Sequence, residues 1–367
     1  MGWADKVKFV DNMKILRATA EATPNIAIIK YWGKRDEKLI LPQQSSISVT
    51  LNMLKTRTTI AFSEQFKQDE IWINNKKLTT AEELEKALPQ LDVIRNIAKT
   101  NMKAKIVSYS VAPVAAGLAG SASGLCAIAV AAIKALVLDV DYKKLSILCR
   151  IGSGSACRSV YGGFVEWLRG TNPDGSDSYA VQIVDENYWP EFRIVIGIAE
   201  SGEKKVKSRA GMRQTVATSI LYNSRLAYLP KVLEETRKAI LEKNLVKLCE
   251  IAMRDSNNMH AVMLDTWPPI IYLNDISKEV IYSIHELNQS EIKAGYSFDA
   301  GPNPAIFTID KYVGQIEKIL KDCGIEEIIV SKVGSGPKIL ESEKEHLIDE
   351  NGEIRRHYLK DGNIVVE

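Results

Sequence analysis

The segment at residues 116–124, AGLAGSASG, constrains the fold most, because it places three glycines and two serines between a predicted strand and a predicted helix. The strand covers 103–111, and the apolar helical run continues to about residue 138. Small residues let the backbone approach an anion, and the helix N-terminus supplies N–H donors. The hydroxyls of Ser121 and Ser123 could also contact phosphate or Mg²⁺. The simpler alternative is a tight turn capped by serine, and the spacing excludes a GxxxxGK[ST] Walker A loop.

Further Gly- and Ser-rich segments occur at 152–159 (GSGSACRS), 208–212 (SRAGM) and 333–337 (VGSGP). The first two contain Arg158 and Arg209, whose guanidinium forks suit a carboxylate or a phosphate. The third is weak evidence, since it is a lone GSG after a strand. One such segment would be only a loop, but four in one chain favour a polyanionic ligand.

A candidate catalytic carboxylate lies in the segment 296–303, YSFDAGPN, where Asp299 has small, apolar and turn-forming neighbours. Burial there would suit the carboxylate for handling a proton or orienting a hydroxyl. The alternative is a hydrogen bond from the turn backbone at 301–303 to Asp299. His260 and Asp265 lie close in sequence, but no GxSxG elbow accompanies them, and His260 is expected to cap or pack a helix.

The length of 367 residues suits two lobes, divided near residues 189–192 into 1–190 and 191–367. In the first lobe, strands are predicted at 18–30, 45–54, 55–63, 103–111 and 162–167, a hairpin at 69–78, and helices at 80–100, broken by Pro89, and 142–150. In the second, helices are predicted at 219–241, 245–260, 276–288 and 313–323, and strands at 192–199, 294–298, 305–308 and 327–333. Residues 344–367 predict a charged terminal extension with a turn at 349–352 and no evident chemistry.

Composition excludes several classes of function. The net charge of +2, with no basic run, argues against a nucleic-acid partner. The longest apolar run, 125–138, is short and contains Lys134, so it predicts a buried helix and no membrane partner. The first residues lack the apolar core of a signal peptide, so a cytoplasmic protein is expected. The 5 cysteines have no CxxC spacing, which predicts reduced thiols and no metal site, with a disulfide as the alternative.

Six segments in order resemble the diphosphomevalonate decarboxylases, a family of the GHMP small-molecule kinase superfamily. They are NIAIIKYWGKRD, the Gly/Ser loop, GSGSACRSVYGGFVEW, SRAGM, NNMHAVMLDTWPPIIYLN and YSFDAGPNPAIFT, and together they cover nearly the whole chain. The resemblance implies an α+β, two-lobed GHMP kinase fold with a cleft between the lobes. Its N-terminal lobe would be like domain 2 of ribosomal protein S5, and its C-terminal lobe ferredoxin-like.

The implied reaction converts ATP and mevalonate diphosphate into ADP, phosphate, CO₂ and isopentenyl diphosphate. The resemblance also implies that Mg²⁺ is required and that the enzyme is a homodimer. The tertiary 3-hydroxyl is phosphorylated, the phosphate departs, and the carboxylate is lost. On this resemblance Asp299 is the base or orienting group at the 3-hydroxyl, Lys30 pairs with it, and Arg158 holds the substrate carboxylate. Much of the catalysis would be positioning and electrostatic stabilisation.

The resemblance also implies binding residues. The substrate side comprises Tyr31, Lys34, Ser153, Ser155 and Arg209 at the diphosphate, with Ser208 near the transferred group, and Met212. The ATP side comprises Ala116, Gly117, Leu118, Ala119, Gly120, Ser121, Ala122, Ser123 and Gly124, with Ser121 as a candidate Mg²⁺ contact. The loop reads GLAGSASG where the family more often has GLASSAAG, and PVAAG replaces PTAAG, which removes two hydroxyls near ATP.

Three alternative functions share parts of this sequence pattern. A monophosphate-specific phosphomevalonate decarboxylase would lack some diphosphate contacts, but Ser153, Ser155 and Arg209 are present. A mevalonate 3-kinase would lack the Asp/Lys pair, and both Asp299 and Lys30 are present. A non-catalytic regulator on the same scaffold would be expected to have lost Asp299 or Arg158.

Overall fold

The computed structural model describes residues 15–80, 84, 87–111, 120–200, 202 and 205–367. Its strands are β1 (Leu16–Ala22), β2 (Asn25–Ile29), β3 (Lys34–Asp36), β4 (Leu41–Pro42), β5 (Ser46–Thr50), β6 (Thr56–Ser63), β7 (Glu70–Ile73), β8 (Lys76–Lys77), β9 (Lys103–Ser110), β10 (Phe164–Trp167), β11 (Ala180–Val184), β12 (Phe192–Gly197), β13 (Gly295–Phe298), β14 (Pro304–Ile309), β15 (Ile328–Lys332), β16 (Lys338–Leu340), β17 (His357–Lys360) and β18 (Asn363–Val366).

The helices are α1 (Leu88–Ala98), α2 (Gly120–Ala135), α3 (Tyr142–Gly152), α4 (Ser208–Thr218), α5 (Tyr222–Leu241), α6 (Leu245–Leu264), α7 (Asp275–Leu287) and α8 (Val313–Asp322). Short 3₁₀ helices lie at Gly154–Val160, Asp310–Tyr312 and Glu343–Glu345. Local chemistry explains several starts: Asp141 caps α3 by accepting from the Lys144 N–H, and Asn274 and Ser277 form a capping box on α7. Among the described residues, no helix is long and apolar enough to cross a membrane.

The first sheet has the strand order β16-β1-β6-β9-β7-β8 and is covered by α2. Ala18, Ile60 and Ile106 of the sheet pack against Ala127 and Ala131 of the helix. Because α2 is rich in alanine and apolar on most sides, it can lie close to the sheet as a buried helix.

The second sheet (β11-β10-β5-β2) and the third sheet (β13-β14-β12-β15) share one apolar core. Phe164 of the second sheet packs edge-on against Phe192 of the third, with ring centroids 5.2 Å apart. Helices α5 and α6 contribute to the same core, while α7 and α8 cover part of the core beside the third sheet. This shared core brings the end of β2 near the end of β13, where the candidate site lies.

The end of the chain returns to the first sheet. Strand β16 pairs antiparallel with β1, and Leu347 and Ile348 are buried against Ala61 and Val107. The division at residue 190 stays a prediction, but its assignment of everything after 191 to the second lobe was wrong for the segment from Lys338 onward. Apolar residues of the extension are buried on the N-terminal sheet, which a charged average composition had hidden.

Other local predictions also needed correction. The strand predicted at 18–30 is two strands in different sheets, separated at Pro24, which has no N–H to continue a ladder. Helix α1 begins at Leu88 with Pro89 in its first turn, as a break at that proline suggested. The SRAGM segment, for which no secondary structure was predicted, forms the start of α4.

Candidate active site

The Lys30 ammonium and the Asp299 carboxylate form a close ion pair where the second and third sheets meet. The distance between Lys30 Nζ and Asp299 Oδ1 is 2.6 Å. Lys30 follows edge strand β2, and Asp299 follows β13. Their side chains are 2% and 44% exposed. The expected burial of Asp299 was therefore wrong: its partner is desolvated, but the carboxylate itself is accessible to a ligand.

Arg158 lies in the 3₁₀ helix Gly154–Val160 and is almost completely buried. Its Nε donates to Asn25 Oδ1 at 3.1 Å and to Ser48 Oγ at 2.8 Å, and its Nη1 donates to Ser46 Oγ at 2.6 Å. Burial lowers the pKa of Arg158, while the nearby Asp299 carboxylate opposes that shift. Because arginine is so basic, the guanidinium stays charged. It is thus a fixed cation within the field of Asp299.

The backbone of GSGSACRS lies tightly against two aromatic rings. A Cβ at Gly154 would lie 2.7 Å from Trp167 and 2.8 Å from Tyr31. The two rings meet edge-on with centroids 4.7 Å apart. Ser153 and Ser155 are partly exposed, with their Oγ atoms 3.4 Å apart. Glycine at 154 therefore allows the backbone between these two serines to lie against Tyr31.

The hydroxyl of Tyr31 is buried and has no hydrogen-bond partner within the described ranges. Burial raises the pKa of Tyr31, and the charges of Arg209 and Arg158 oppose the shift. The phenol is therefore a neutral donor at physiological pH. An unsatisfied buried hydroxyl costs about 1–3 kcal/mol, so its orphan state points to a missing acceptor such as a ligand oxygen.

Two cations contact the Glu37 carboxylate near this hydroxyl, and a third, Arg209, lies close to them. Lys34 Nζ lies 2.6 Å and Arg213 Nη1 3.8 Å from the same Oε2 of Glu37. Arg209 Nη2 donates to the Gly152 carbonyl at 2.8 Å. Burial lowers the pKa of Lys34, the bond to Glu37 opposes this, and Arg209 and Arg213 lower it further. The excess of positive charge favours a multiply charged anion.

Ser208 and Met212 lie on α4, which starts at Ser208. Met212 is 7% exposed and packs in an apolar cluster with Trp32, Ile270 and Ala300. Ala300 directly follows Asp299. Met212 therefore forms part of an apolar wall behind the site, while Ser208 is partly exposed.

The predicted ATP segment is only partly within the structure. Ala116, Gly117, Leu118 and Ala119 lie outside the described residues. Gly120, Ser121, Ala122, Ser123 and Gly124, expected in the loop, instead form the first turns of α2. Ser121 is exposed, whereas Ser123 is buried with its Oγ 2.8 Å from Thr56 Oγ1. The expectation of a phosphate-facing Ser123 hydroxyl was wrong, because that hydroxyl joins the helix to β6.

His260 lies beside the ion pair, although the sequence offered no role for it beyond packing. Its ring contacts Phe298 edge-on, with centroids 6.4 Å apart, and its Nε2 is buried without a partner among the described atoms. Burial, together with the charge of Lys30, lowers the pKa of His260 to about 4. The imidazole is therefore neutral at physiological pH, and a relay with Asp265 does not form: Asp265 accepts from Ser219 and Leu221 instead.

Several site residues were not predicted. Asn25, Ser46 and Ser48 hold Arg158, and the alternation SSISVT was read only as strand pattern. Arg225 and Asp255 contact the backbone of Lys30. No local signal distinguishes them, because α5 and α6 carry many other polar residues and Ser46 and Ser48 lie in a strand with other hydroxyl side chains.

A metal ion at this site would be coordinated mainly by the phosphate oxygens of a bound ligand. Within the described part of the chain, no group of three His, Cys, Asp or Glu side chains is placed to hold a metal. Mg²⁺ commonly binds through substrate phosphates with few protein oxygens. The exposed Ser121 hydroxyl at the start of α2 and the accessible Asp299 carboxylate fit that mode of binding.

Comparison with known proteins assigns both halves of the chain. The model of the diphosphomevalonate decarboxylase-like N-terminal domain matches residues 22–180, and that of the mevalonate 5-diphosphate decarboxylase C-terminal domain matches residues 194–325. The diphosphomevalonate decarboxylase of Candida albicans is 42% identical over 351 residues, covering 88% of this chain and 97% of the relative.

Solved structures agree in fold. The crystal structure of mevalonate diphosphate decarboxylase from Staphylococcus aureus has a TM-score of 0.84 and 39% identity, covering 89% of this chain and 98% of that one. A second structure, solved as MDDEF in complex with MVAPP, AMPPCP and magnesium, has a TM-score of 0.82 and 34% identity, covering 89% and 100%.

Proposed function

The chain belongs to the diphosphomevalonate decarboxylase family, and we propose that Asp299, Lys30 and Arg158 perform that family's chemistry in it. The protein is an ATP-dependent decarboxylase of mevalonate 5-diphosphate in the mevalonate pathway, with Mg²⁺ and ATP as co-substrate, and it has the predicted GHMP kinase fold. The products are isopentenyl diphosphate, ADP, phosphate and CO₂.

Asp299 accepts or orients the proton of the 3-hydroxyl while the γ-phosphoryl group of ATP is transferred to that oxygen. The accessible carboxylate supports this role, and the buried ammonium of Lys30 at 2.6 Å keeps it anionic. The C3–O bond then breaks with loss of phosphate. The electrons of the bond between the carboxylate carbon and C2 form the new double bond between C2 and C3, which releases CO₂.

Arg158 holds the substrate carboxylate. Its Nε and Nη1 are bonded to Asn25, Ser46 and Ser48, so the guanidinium cannot rotate with the ligand. A guanidinium held in one orientation aligns the substrate bond that breaks. This alignment contributes more to the reaction rate than additional positive charge would.

The diphosphate lies against Tyr31, Lys34, Ser153, Ser155 and Arg209. The orphan hydroxyl of Tyr31 supplies a donor, and the cations beside it supply the charge. Ser208 approaches the transferred phosphoryl group, and Met212 lines the apolar wall beside it. Residues 116–122 and Gly124 bind the ATP phosphates, while Ser123 supports the helix from inside the fold. Ser121 would be the protein contact of a bound Mg²⁺, which would neutralise phosphate charge.

The observation that supports this proposal most is the Lys30–Asp299 pair. The test is parallel incubation of ATP with mevalonate, its monophosphate and its diphosphate, with ADP and CO₂ measured for each. We expect equal amounts of ADP and CO₂ from the diphosphate alone. Turnover of the monophosphate would identify a phosphomevalonate decarboxylase, and ADP without CO₂ would identify a mevalonate 3-kinase; either result rejects the proposal.

A cytoplasmic location and a homodimer are also proposed. Four of the five cysteines are buried and all are free, which suits a reducing compartment. Cell fractionation tests the location, and sedimentation equilibrium tests the dimer; a single species at the monomer mass of 40.8 kDa would reject the latter.

A further inference from the structure

Lys30 is the first residue after strand β2, so its backbone lies just outside the sheet while its side chain contacts Asp299. Strand β2 is the edge of the second sheet and ends at Ile29. Its pairing with β5 is irregular between Ala27 and Ile29. Such irregularities re-aim the residues that follow them and interrupt the ladder that would fix their backbone. The N–H and C=O of Lys30 therefore need partners from elsewhere.

A buried ion pair supplies both partners. Asp255 Oδ2 accepts from the Lys30 N–H at 2.7 Å, and Arg225 Nη2 donates to the Lys30 carbonyl at 3.3 Å. Arg225 and Asp255 are joined to each other at 2.9 Å, and both side chains are 0% exposed. The three residues thus form a closed ring of contacts around one peptide position, with Gln44 Nε2 as a further donor to that carbonyl at 3.2 Å.

The ion pair is itself fixed to two helices. Arg225 lies on α5 and Asp255 on α6, and Arg225 Nη1 also donates to Asn258 Oδ1 at 2.6 Å. The position of Lys30 is therefore set by the helix pair, which belongs to the half of the molecule that carries Asp299. The Lys30 ammonium and the Asp299 carboxylate are therefore both positioned by the same half of the molecule.

We propose that Arg225 and Asp255 are positioning residues, which hold the Lys30 backbone so that its ammonium meets Asp299. A purely structural role explains the geometry less well. Buried ion pairs are weak sources of stability, because their desolvation offsets their attraction, and well-packed apolar residues often replace them without loss. By contrast, catalysis responds to displacements of about 1 Å, with losses of about 100-fold.

The inference rests on the proposed function of Lys30, and the experiment separates the two. Four proteins are compared: wild type, Lys30→Met, the double variant Arg225→Met/Asp255→Leu, and the triple variant. The double variant leaves no buried charge unpaired, but the Lys30 N–H loses its acceptor, so we expect a folded protein whose melting temperature falls by only several degrees. Its kcat should fall by roughly 10- to 100-fold while the KM for ATP changes less than about twofold.

The triple variant decides between the two roles. If the ion pair acts through Lys30, adding its replacement to Lys30→Met should lower kcat by no further factor. The inference would be overturned if the fall in kcat of the triple variant equalled the product of the falls in Lys30→Met and in the double variant. It would also be overturned if the double variant kept the kcat of wild type. A Lys30→Met protein with unchanged kcat would instead reject the proposed role of Lys30 itself.

Two further proteins keep the outcome interpretable. Arg225→Lys keeps the positive charge but not the fork that reaches Asp255 and the Lys30 carbonyl together. If the double variant does not fold, this variant must show the same fall in kcat at unchanged KM for ATP, and a native kcat would overturn the inference. Arg95→Met/Asp69→Leu replaces a largely buried ion pair that joins helix α1 to the residue before β7, away from the site, and should keep the kcat of wild type.

Discussion

Lys30 Nζ lies 2.6 Å from Asp299 Oδ1, with the lysine side chain 2% exposed and the aspartate 44% exposed. The ion pair is therefore asymmetric: the cation is enclosed by protein, and the anion is open on one side. Arg158 is a second enclosed cation in the field of the same carboxylate. A substrate that approaches the open side meets a carboxylate whose ionised form is stabilised by groups it cannot displace.

Asp299→Asn should lower kcat by about 100- to 10,000-fold, because an amide cannot accept the proton of the 3-hydroxyl. The dissociation constants of ATP and mevalonate diphosphate should stay within a few-fold of wild type, since the amide keeps the shape of the carboxylate. Rapid-quench measurement of ADP and calorimetry of binding check both. A kcat near that of wild type would remove Asp299 from the mechanism.

Arg158→Lys should lower kcat/KM by about 10- to 100-fold, because an ammonium cannot bond Asn25, Ser46 and Ser48 and also hold a carboxylate with two donors. Steady-state kinetics with mevalonate diphosphate check this. Arg150→Lys is the matched control, since Arg150 is as buried but donates to Leu39, Gly175 and Ser178 carbonyls. It should lose stability with kcat/KM unchanged, and equal kinetic losses in both variants would contradict a specific carboxylate contact.

Ser121→Ala and Ser123→Ala should separate ligand contact from structure. Ser121 is exposed at the start of α2, so its loss should raise the KM for ATP several-fold. Ser123 bonds Thr56 inside the fold, so its loss should lower the free energy of unfolding by about 1 kcal/mol with little change in KM. The reverse pattern would move the ATP contact to Ser123.

Gly154→Ala should lower the free energy of unfolding by about 1–3 kcal/mol, because its methyl would lie 2.7 Å from Trp167 and 2.8 Å from Tyr31. The KM for mevalonate diphosphate should rise as Tyr31 shifts. Urea unfolding and kinetics check these effects. Gly314→Ala is the control, because its methyl would meet nothing within 4 Å in helix α8; destabilisation there too would show a general cost of alanine.

His260 should make the protein sensitive to acid. Its pKa is about 4 in the folded state and near 6.5 when unfolded, so the unfolded chain binds the proton more readily between these values. The stabilisation is complete above pH 6.5 and is lost as the pH falls towards 4, to a total of roughly 3 kcal/mol. Urea titrations from pH 7 to 4 should show a shallower loss for His260→Gln, and identical slopes would contradict a buried neutral imidazole.

Local sequence patterns predicted those parts of the site whose chemistry lies within one segment. Lys30, Arg158 and Asp299 each stand in a distinctive motif, and the structure brings Lys30 to Asp299 as expected. Patterns failed where burial depends on a distant partner. Residues 344–367 were predicted only as a charged terminal extension, yet Leu347 and Ile348 are buried on strands that precede them by more than 200 residues. Ser123 was predicted to contact phosphate, but its hydroxyl forms a hydrogen bond with the hydroxyl of Thr56.

The sequence by itself determined which chemical groups are available, namely the Gly- and Ser-rich segments, the arginines within them and the candidate carboxylate Asp299, and its resemblance to a family implied the pairing of Asp299 with Lys30. Only the tertiary structure decided how those groups are held, through Asn25, Ser46 and Ser48 on Arg158 and through Arg225 and Asp255 on Lys30. The reason is physical. Motifs report residue types at short spacing, whereas exposure and hydrogen-bond geometry depend on strand register, on the irregularity in β2, and on helices that arrive from the other half of the chain.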